Sequence, residues 1–184
     1  MMNITKTLGI FLTAIIFFAA IGSVAHANSL NLRVGVLIIG GTEFKVDEYY
    51  KAIKSTIKPA SKAKLVIGND IQTLYKKYWL KRGYIGEQEP QKSDLINFTA
   101  ASGCDKVIVL IISDSMVDKH NNPSSREKDR ISVQMDAYLC TSTDVIDVYS
   151  ANCDEKSKTS SLRARLGAFK NCLKEISKSL NQEI

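Results

Sequence analysis

The first three hydrophobic runs after residue 30 are short, continuous and rich in β-branched side chains. They are Arg33–Ile39, Lys64–Ile67 and Val107–Ile112. Each is followed by glycine or by short polar residues, a pattern typical of strands that are buried on both faces of a sheet. Between the runs, apolar residues recur at helical spacing, in one segment and then in two consecutive segments. Because helical crossovers return the chain in the same direction, we expect these three strands to be parallel.

The later part of the chain alternates instead. Residues 131–139 place apolar side chains at every second position, and residues 145–149 return after a polar turn, which predicts half-exposed antiparallel strands. Pairing Leu139 with Ile146 would bury Ile146 and Val148. A final helix over residues 161–180 carries an apolar stripe. The predicted fold class is α/β (α+β), a mixed sheet with the order β-α-β-α-α-β-β-β-α and a three-strand antiparallel meander at its C-terminal side.

The amino-terminal segment follows a different pattern. One charge, Lys6, precedes a nearly uninterrupted apolar run over residues 8–21, and the segment closes with Ala25-His26-Ala27. This pattern predicts a secretory signal peptide over residues 1–27 and a single exported domain over residues 28–184. The alternative is an uncleaved anchor, although the run is shorter than the roughly 20 residues of a membrane span. We therefore expect a periplasmic or extracellular protein with no membrane span after cleavage.

The chain is moderately basic, with a formal net charge of +6. Such a balance favours anionic partners, although it does not determine fold or specificity. Four basic residues of the final helix share one face at spacings of seven, four and four residues: Arg163, Lys170, Lys174 and Lys178. This stripe is either a contact surface for an anionic polymer or a solvated helix face. No specific nucleic-acid signal accompanies it.

All four cysteines lie after residue 27, at positions 104, 140, 153 and 172. An even count in an exported chain permits two disulfides, and none of the four has the close spacing of a zinc or thioredoxin-like site. At 1.5 Å per residue, the final helix would carry Cys172 roughly 18 Å from the strand end near Cys153. Cys140 and Cys104 lie at the opposite edge, nearer to Cys172. We therefore expect a Cys140–Cys172 disulfide, with Cys104–Cys140 as the alternative, and we expect Cys153 to be free or paired between chains.

Few motifs point to catalysis. Gly40-Gly41-Thr42-Glu43 lacks the spacing of phosphate-binding loops, and no nucleophile elbow occurs in the chain. The only histidine after residue 27 is His120, in a polar loop where a rigid catalytic base is hard to hold. The aromatic stripe of the second helix, which includes Trp79, is assigned to core packing. We expect no cofactor and no metal site.

The best small-molecule site follows the central strand. Ser113, Asp114 and Ser115, together with Asp118, lie at the carboxyl end of that strand. Open α/β sheets commonly bind ligands at this edge. The alternative is that short polar residues there simply end the strand.

The order of elements resembles the extracytoplasmic α/β domains of bacterial envelope assembly proteins. The segments that carry the resemblance are the opening strand RVGVLII, the helix-to-strand unit SDLINFTAASGCDKVIVLII, and the closing hairpin with its helix. Similar domains are the amino-terminal domain of the Tol translocation protein, the lipoprotein activators of penicillin-binding proteins and the curli secretion channel subunit. The resemblance is topological, and it implies a role in protein contacts and not in catalysis.

Two hypotheses about function follow. The first is an exported, non-enzymatic accessory or binding domain of the bacterial cell envelope that contacts an envelope protein or an anionic polymer. The alternative is a small extracytoplasmic hydrolase that uses carboxylates such as Asp114 and Asp118. Converging acids in a deep pocket would favour the hydrolase, whereas a shallow surface with an exposed apolar patch would favour binding.

Overall fold

The computed structural model describes residues 32–60, 63–84, 89–118 and 129–184, with the backbone alone at residues 117, 118 and 129. The predicted signal peptide and the loop that holds His120 lie outside the described residues. The strands are β1 (Arg33–Ile39), β2 (Lys64–Ile67), β3 (Lys106–Asp118), β4 (Asp129–Cys140) and β5 (Val145–Ser157). The helices are α1 (Asp47–Thr56), α2 (Asn69–Lys81), α3 (Lys92–Ser102) and α4 (Ser161–Glu183), with a short 3-10 turn at Thr42–Phe44.

The strands form one mixed sheet in the order β2-β1-β3-β4-β5. Strand β1 pairs in parallel with β2 and β3. The pairs β3–β4 and β4–β5 are antiparallel. The predicted fold class is therefore confirmed, from the parallel start to the antiparallel meander at the C-terminal side. Each parallel connection passes through one or two helices, because neighbouring parallel strands need a long crossover.

Alternating side chains of β3 divide the core into two layers. Ile108, Leu110 and Ile112 pack with residues of α1 and α4, on the side that we call the α1/α4 face. Val107 and Val109 pack with residues of α2 and α3, on the α2/α3 face. Since helices cover both faces of β3, its continuous apolar run has no solvent-facing side.

Helix α4 docks on the α1/α4 face through an aromatic cluster. The Ser160 hydroxyl accepts a hydrogen bond from the Arg163 backbone N–H at 3.3 Å and so caps the first turn. Further along, the Phe169 ring centroid lies 4.8 Å from that of Tyr49 and 6.4 Å from that of Phe44. All three rings are buried, so the cluster fixes α4 against α1 and the loop after β1.

The pairing of β4 with β5 differs from the prediction. Leu139 pairs with Asp147, and an irregularity separates this pair from the next, in which Cys140 lies opposite Val145. The register is thus one residue away from the predicted Leu139–Ile146 pair. Because side chains alternate with a period of two, the shift turns Ile146 and Val148 away from the core. Each is 48% exposed, and the expectation that they would be buried is wrong.

The predicted Cys140–Cys172 disulfide is also wrong. Cys140 packs on the α2/α3 face, together with Cys104, whereas Cys172 packs on the α1/α4 face. The sheet therefore stands between the two sulfur atoms. All four cysteines are free thiols, so the alternative Cys104–Cys140 bond is absent as well. Cys140 points outward from β4 as the alternation requires, yet it is fully buried because the α2/α3 layer covers this end of the strand.

Candidate binding site

The carboxyl ends of β1 and β3 lie side by side, because the two strands are neighbours in the sheet and pair in parallel. Gly40 follows β1 with a φ of 149°, and a Cβ atom there would lie 2.5 Å from the carbonyl oxygen of Ile112. A side chain at this position would collide with backbone, so the close approach requires glycine. It brings the loop after β1 to the sheet edge at which the sequence predicts a ligand site.

Asp114 projects from this edge onto the α1/α4 face and contacts Arg165 of α4. The Arg165 Nε donates a hydrogen bond to Asp114 Oδ2 at 2.5 Å. The two side chains are only 22% and 17% exposed. Burial by itself lowers the pKa of Arg165, but the hydrogen bond and the charge of Asp114 outweigh it and raise that pKa above its ordinary value. Arg165 therefore remains a cation beside the carboxylate.

The hydroxyl of Tyr49 is the third polar group of this corner. The side chain is buried, and its hydroxyl has no hydrogen-bond partner among the described residues. Burial raises the pKa of Tyr49; the Arg165 charge opposes this increase and the Asp114 charge adds to it. The phenol therefore stays neutral. Together, Asp114, Arg165 and Tyr49 form a packed corner, a name that we keep for these three residues.

The other predicted site residues do not join Asp114. Ser113 and Ser115 are exposed and lie opposite Gln134 and Ser132 of β4. Since side chains alternate along a strand, the two serines point to the α2/α3 side while Asp114 points to the α1/α4 face. The side chain of Asp118 lies outside the described residues. Strand β3 therefore places Asp114 and the two serines on opposite faces of the sheet.

A cavity of about 360 Å³ lies next to the end of β1, between that strand and α2. Its volume falls within the range of about 300–1,000 Å³ that is common for small-molecule pockets. Ile38 and Ile39, at the end of β1, are among its lining residues. The Gln72 side chain of α2 also lines it and donates from Nε2 to the Ile38 carbonyl oxygen at 2.9 Å, which ties the helix to the strand end. We call this space the α2 pocket.

Three stacked aromatic rings form one wall of the α2 pocket. Trp79 lies between Tyr75 and Tyr84, with centroid distances of 5.3 Å and 4.4 Å. Tyr75 in turn meets Phe98 of α3 edge-on at 5.1 Å. Trp79 is only 6% exposed, so its predicted role in core packing is confirmed. The sequence did not reveal the pocket, because helical periodicity shows which side chains pack and not whether the packing leaves a space beside them.

Two lysines contribute to the lining of the α2 pocket. Lys76 is exposed on α2, and Lys45 comes from the loop after β1. Among the described lining residues there is no carboxylate. An apolar interior favours desolvation of an apolar ligand body, and cationic side chains at the opening attract negative charge. The lining is therefore suited to an amphipathic anion.

The predicted basic stripe lies away from this pocket. Its four residues are exposed on α4, which covers the opposite face of the sheet. Within the described ranges, no salt bridge engages Arg163, Lys170, Lys174 or Lys178. The stripe and the α2 pocket are therefore separate surfaces.

The part of the chain that the structure describes contains no group of three or more histidine, cysteine, aspartate or glutamate side chains arranged to hold a metal ion. None of its helices combines the length and the apolar composition needed to cross a membrane.

No protein-family model and no curated protein matches the chain. Among solved structures, lipoprotein GNA1162 from Neisseria meningitidis matches with 16% identity and a TM-score of 0.42, over 83% of this chain and 97% of that one. The PelC dodecamer from Paraburkholderia phytofirmans matches with 10% identity and a TM-score of 0.31, over 79% and 84%. A minor lipoprotein from Acinetobacter baumannii matches with 7% identity and a TM-score of 0.27, over 84% and 92%. These similarities are too low to assign a family or a function, and the resemblance to the Tol, activator and curli proteins stays a prediction.

Proposed function

We propose that this protein is an exported accessory domain of the bacterial cell envelope, and that it binds a small amphipathic anion in the α2 pocket without catalysis. The observation that carries the proposal is the apolar cavity at the carboxyl edge of the sheet, with lysine side chains in its lining. The location in the envelope follows from the predicted signal peptide over residues 1–27.

The apolar lining of the pocket supplies the affinity in this proposal. Ile38 and Ile39 are nearly buried even without a ligand, and the aromatic wall is held rigid by its own stacking. A ligand that fills the cavity would lose apolar surface to these side chains, at roughly 25 cal/mol per Å². Since the wall is already ordered, little conformational entropy would be lost on binding.

Lys76 supplies the preference for a negative charge. Its ammonium group lies at the surface, where an ion pair contributes up to about 1 kcal/mol. A ligand with an apolar body inside the pocket would place its carboxylate or phosphate near this lysine. Two classes of ligand combine an apolar body with a negative charge in this way: aliphatic anions, such as acyl carboxylates, and aromatic carboxylates.

Isothermal titration calorimetry with three probes tests the proposal and distinguishes the two ligand sources. Decanoate represents the aliphatic anion, 2-naphthoate the aromatic anion, and decanol the neutral counterpart of decanoate. We expect one of the two anions to bind with one-to-one stoichiometry and decanol to bind more weakly. Lys76→Ala should weaken the binding of that anion by up to about fivefold, because a surface ion pair contributes up to about 1 kcal/mol.

Lys77→Ala is the matched control. Lys77 is the next residue of α2, is equally exposed and does not line the pocket. Its substitution removes the same net charge and should leave the affinity unchanged. Equal losses of affinity for Lys76→Ala and Lys77→Ala would mean that the effect depends only on net charge and not on the position of Lys76. The absence of binding for both anions would overturn the proposal.

The hydrolase alternative receives no support from the geometry. Asp114, on which it rests, accepts a hydrogen bond from Arg165 and lies on the opposite face from the α2 pocket. Asp114 does not line the α2 pocket. The two functions therefore differ in their need for Asp114. The hydrolase would require it, whereas ligand binding in the α2 pocket does not.

Contact with an anionic polymer through α4 is a second candidate. The specific observation in its favour is that the four basic side chains of the stripe are exposed and form no salt bridge among the described residues. Replacing Lys170, Lys174 and Lys178 with glutamine should weaken retention on an anionic polysaccharide and reduce its dependence on salt. Retention equal to that of the unchanged protein would exclude this surface.

A further inference from the structure

Two of the four cysteines come together on the α1/α4 face. Cys153 lies on β5 directly opposite Val133 of β4. Cys172 lies on α4, is fully buried, and donates from its thiol to the Val133 carbonyl oxygen at 3.2 Å. Both sulfur-bearing side chains are thus placed beside the same residue of β4, one from the neighbouring strand and one from the helix above it.

A second contact places Cys153 over the turn of α4 that carries Cys172. The Cys153 thiol donates to Glu175 Oε2 at 3.7 Å, and Glu175 follows Cys172 by three residues on the same helix. Each thiol is also close enough to the other to influence its pKa. Residues three apart on a helix are neighbours on its surface, so these contacts define one location.

We infer that Cys153 and Cys172 form a disulfide that joins β5 to α4 when the protein meets a disulfide-bearing oxidant. Such oxidants act in the compartments to which the predicted signal peptide would direct the chain. Neither the α2 pocket nor its ligand enters this inference.

The chain geometry explains why the two residues meet although they are far apart in sequence. Cys153 lies four residues before the end of β5, or roughly 13 Å at 3.3 Å per residue. Cys172 lies eleven residues after the start of α4, or roughly 17 Å at 1.5 Å per residue. Since α4 returns antiparallel to β5, both distances run back from the same end of the sheet, and the residues finish side by side.

The other two cysteines are placed so that they remain thiols. Gly35, Val107 and Cys140 form a row across β1, β3 and β4. The Cys104 sulfur lies at the Gly35 end of this row, 3.2 Å from the position of a Cβ on Gly35. Val107 occupies the place between Cys104 and Cys140.

The oxidation proceeds by two thiol–disulfide exchanges. The Cys153 thiol, which is partly exposed, loses its proton and attacks the oxidant's disulfide, so that a mixed disulfide forms and one oxidant thiolate leaves. The Cys172 sulfur, after losing its proton, then attacks the Cys153 sulfur and releases the second oxidant thiolate. The protein loses two protons and two electrons, and the disulfide of the oxidant is reduced to two thiols. Burial raises the pKa of both cysteines, so the reaction should accelerate with increasing pH.

Peptide mapping under non-reducing conditions tests the inference on the full chain after oxidation with glutathione disulfide. Trypsin alone leaves Cys140 and Cys153 on one peptide, because no lysine or arginine lies between residues 131 and 155. A protease that cleaves before aspartate separates them at Asp144 and Asp147 and also cuts before Asp154. Double digestion should therefore yield residues 147–153 linked to residues 171–174, and this linked pair should disappear on reduction.

Three cysteine variants complete the experiment. Cys153→Ser and Cys172→Ser should each abolish the linked peptide pair, whereas Cys104→Ser should leave it intact. If Cys172→Ser does not fold, Cys153→Ser gives the same information, because Cys153 is partly exposed. A Cys104–Cys140 bond, a covalent dimer through Cys153, or four free thiols after oxidation would each overturn the inference.

Discussion

Two sites at the same edge of the sheet differ in whether their side chains leave room for a ligand. On the α1/α4 face, the packed corner of Asp114, Arg165 and Tyr49 uses its own groups to neutralise its charges. On the α2/α3 face, the α2 pocket leaves a cavity of about 360 Å³ between β1 and α2, with lysines in its lining. One side of the edge is closed by an ion pair and the other is open to a ligand.

The difference shows that position in a fold does not by itself make a site. Both locations lie at the carboxyl edge, where α/β sheets commonly bind ligands. At the packed corner, α4 supplies a partner for the carboxylate that the sequence singled out. At the α2 pocket, the helix is tied to the strand by Gln72 but does not fill the adjacent space. A location at this edge can bind a ligand only where the neighbouring side chains leave space and charges that are not already paired.

The largest expected loss of stability comes from a substitution that disrupts the packing on the α1/α4 face. Phe169→Ala should lower the free energy of unfolding by about 3–5 kcal/mol, since a buried phenyl ring is lost from the cluster with Phe44 and Tyr49. Urea denaturation measures this change. Lys174→Ala, on the exposed side of the same helix, is the control and should cost less than about 0.5 kcal/mol. Similar losses for the two variants would mean that α4 docks through a different face.

A double-mutant cycle sharpens the account of the packed corner. Arg165→Ala and Asp114→Ala should each cost about 1–3 kcal/mol, because each leaves a largely buried charge without its partner. The double variant should cost less than the sum of the two, with a coupling of about 0.5–3 kcal/mol. Additive losses in urea denaturation would contradict a direct interaction between the two side chains.

The smallest expected effect on stability concerns the wall of the α2 pocket. Tyr84→Ala should cost only about 0.5–1.5 kcal/mol, the contribution of one aromatic pair, because Tyr84 stacks on Trp79 from outside the core. The same variant should lose most of its ligand affinity in calorimetric titration. If Tyr84→Ala destabilised the fold as much as Phe169→Ala, Tyr84 would be part of the hydrophobic core. The α2 pocket would then be as tightly packed as the α1/α4 face.

Most of the architecture could be predicted from the sequence, and the reason lies in its periodicity. The continuous runs Arg33–Ile39 and Val107–Ile112 identify buried parallel strands, and the alternation over residues 131–139 identifies the antiparallel one. The register of the last hairpin could not be obtained in this way. A one-residue irregularity between Leu139 and Cys140 reverses which side chains of β5 face the core. The residues of the turn show no pattern that predicts this irregularity.

The candidate sites were less accessible to sequence reasoning. Asp114 could be located at the carboxyl edge, but its partner Arg165 lies 51 residues later and becomes a neighbour only when α4 folds back. The predicted Cys140–Cys172 pairing failed because Cys140 lies on the α2/α3 face of the sheet, whereas Cys172 lies on the α1/α4 face. The sequence pattern of α4 alone does not show which cysteines share its face.

The most direct test of the central claim uses the single tryptophan of the chain, Trp79, which lies in the wall of the α2 pocket. Titration of the full chain with the anionic probe that binds should change the Trp79 fluorescence in a saturable manner, with the same dissociation constant as calorimetry gives. Asp114→Asn should leave this titration unchanged, because the packed corner lies on the other face. Calorimetric binding without any change in Trp79 fluorescence, or loss of binding in Asp114→Asn, would contradict the account.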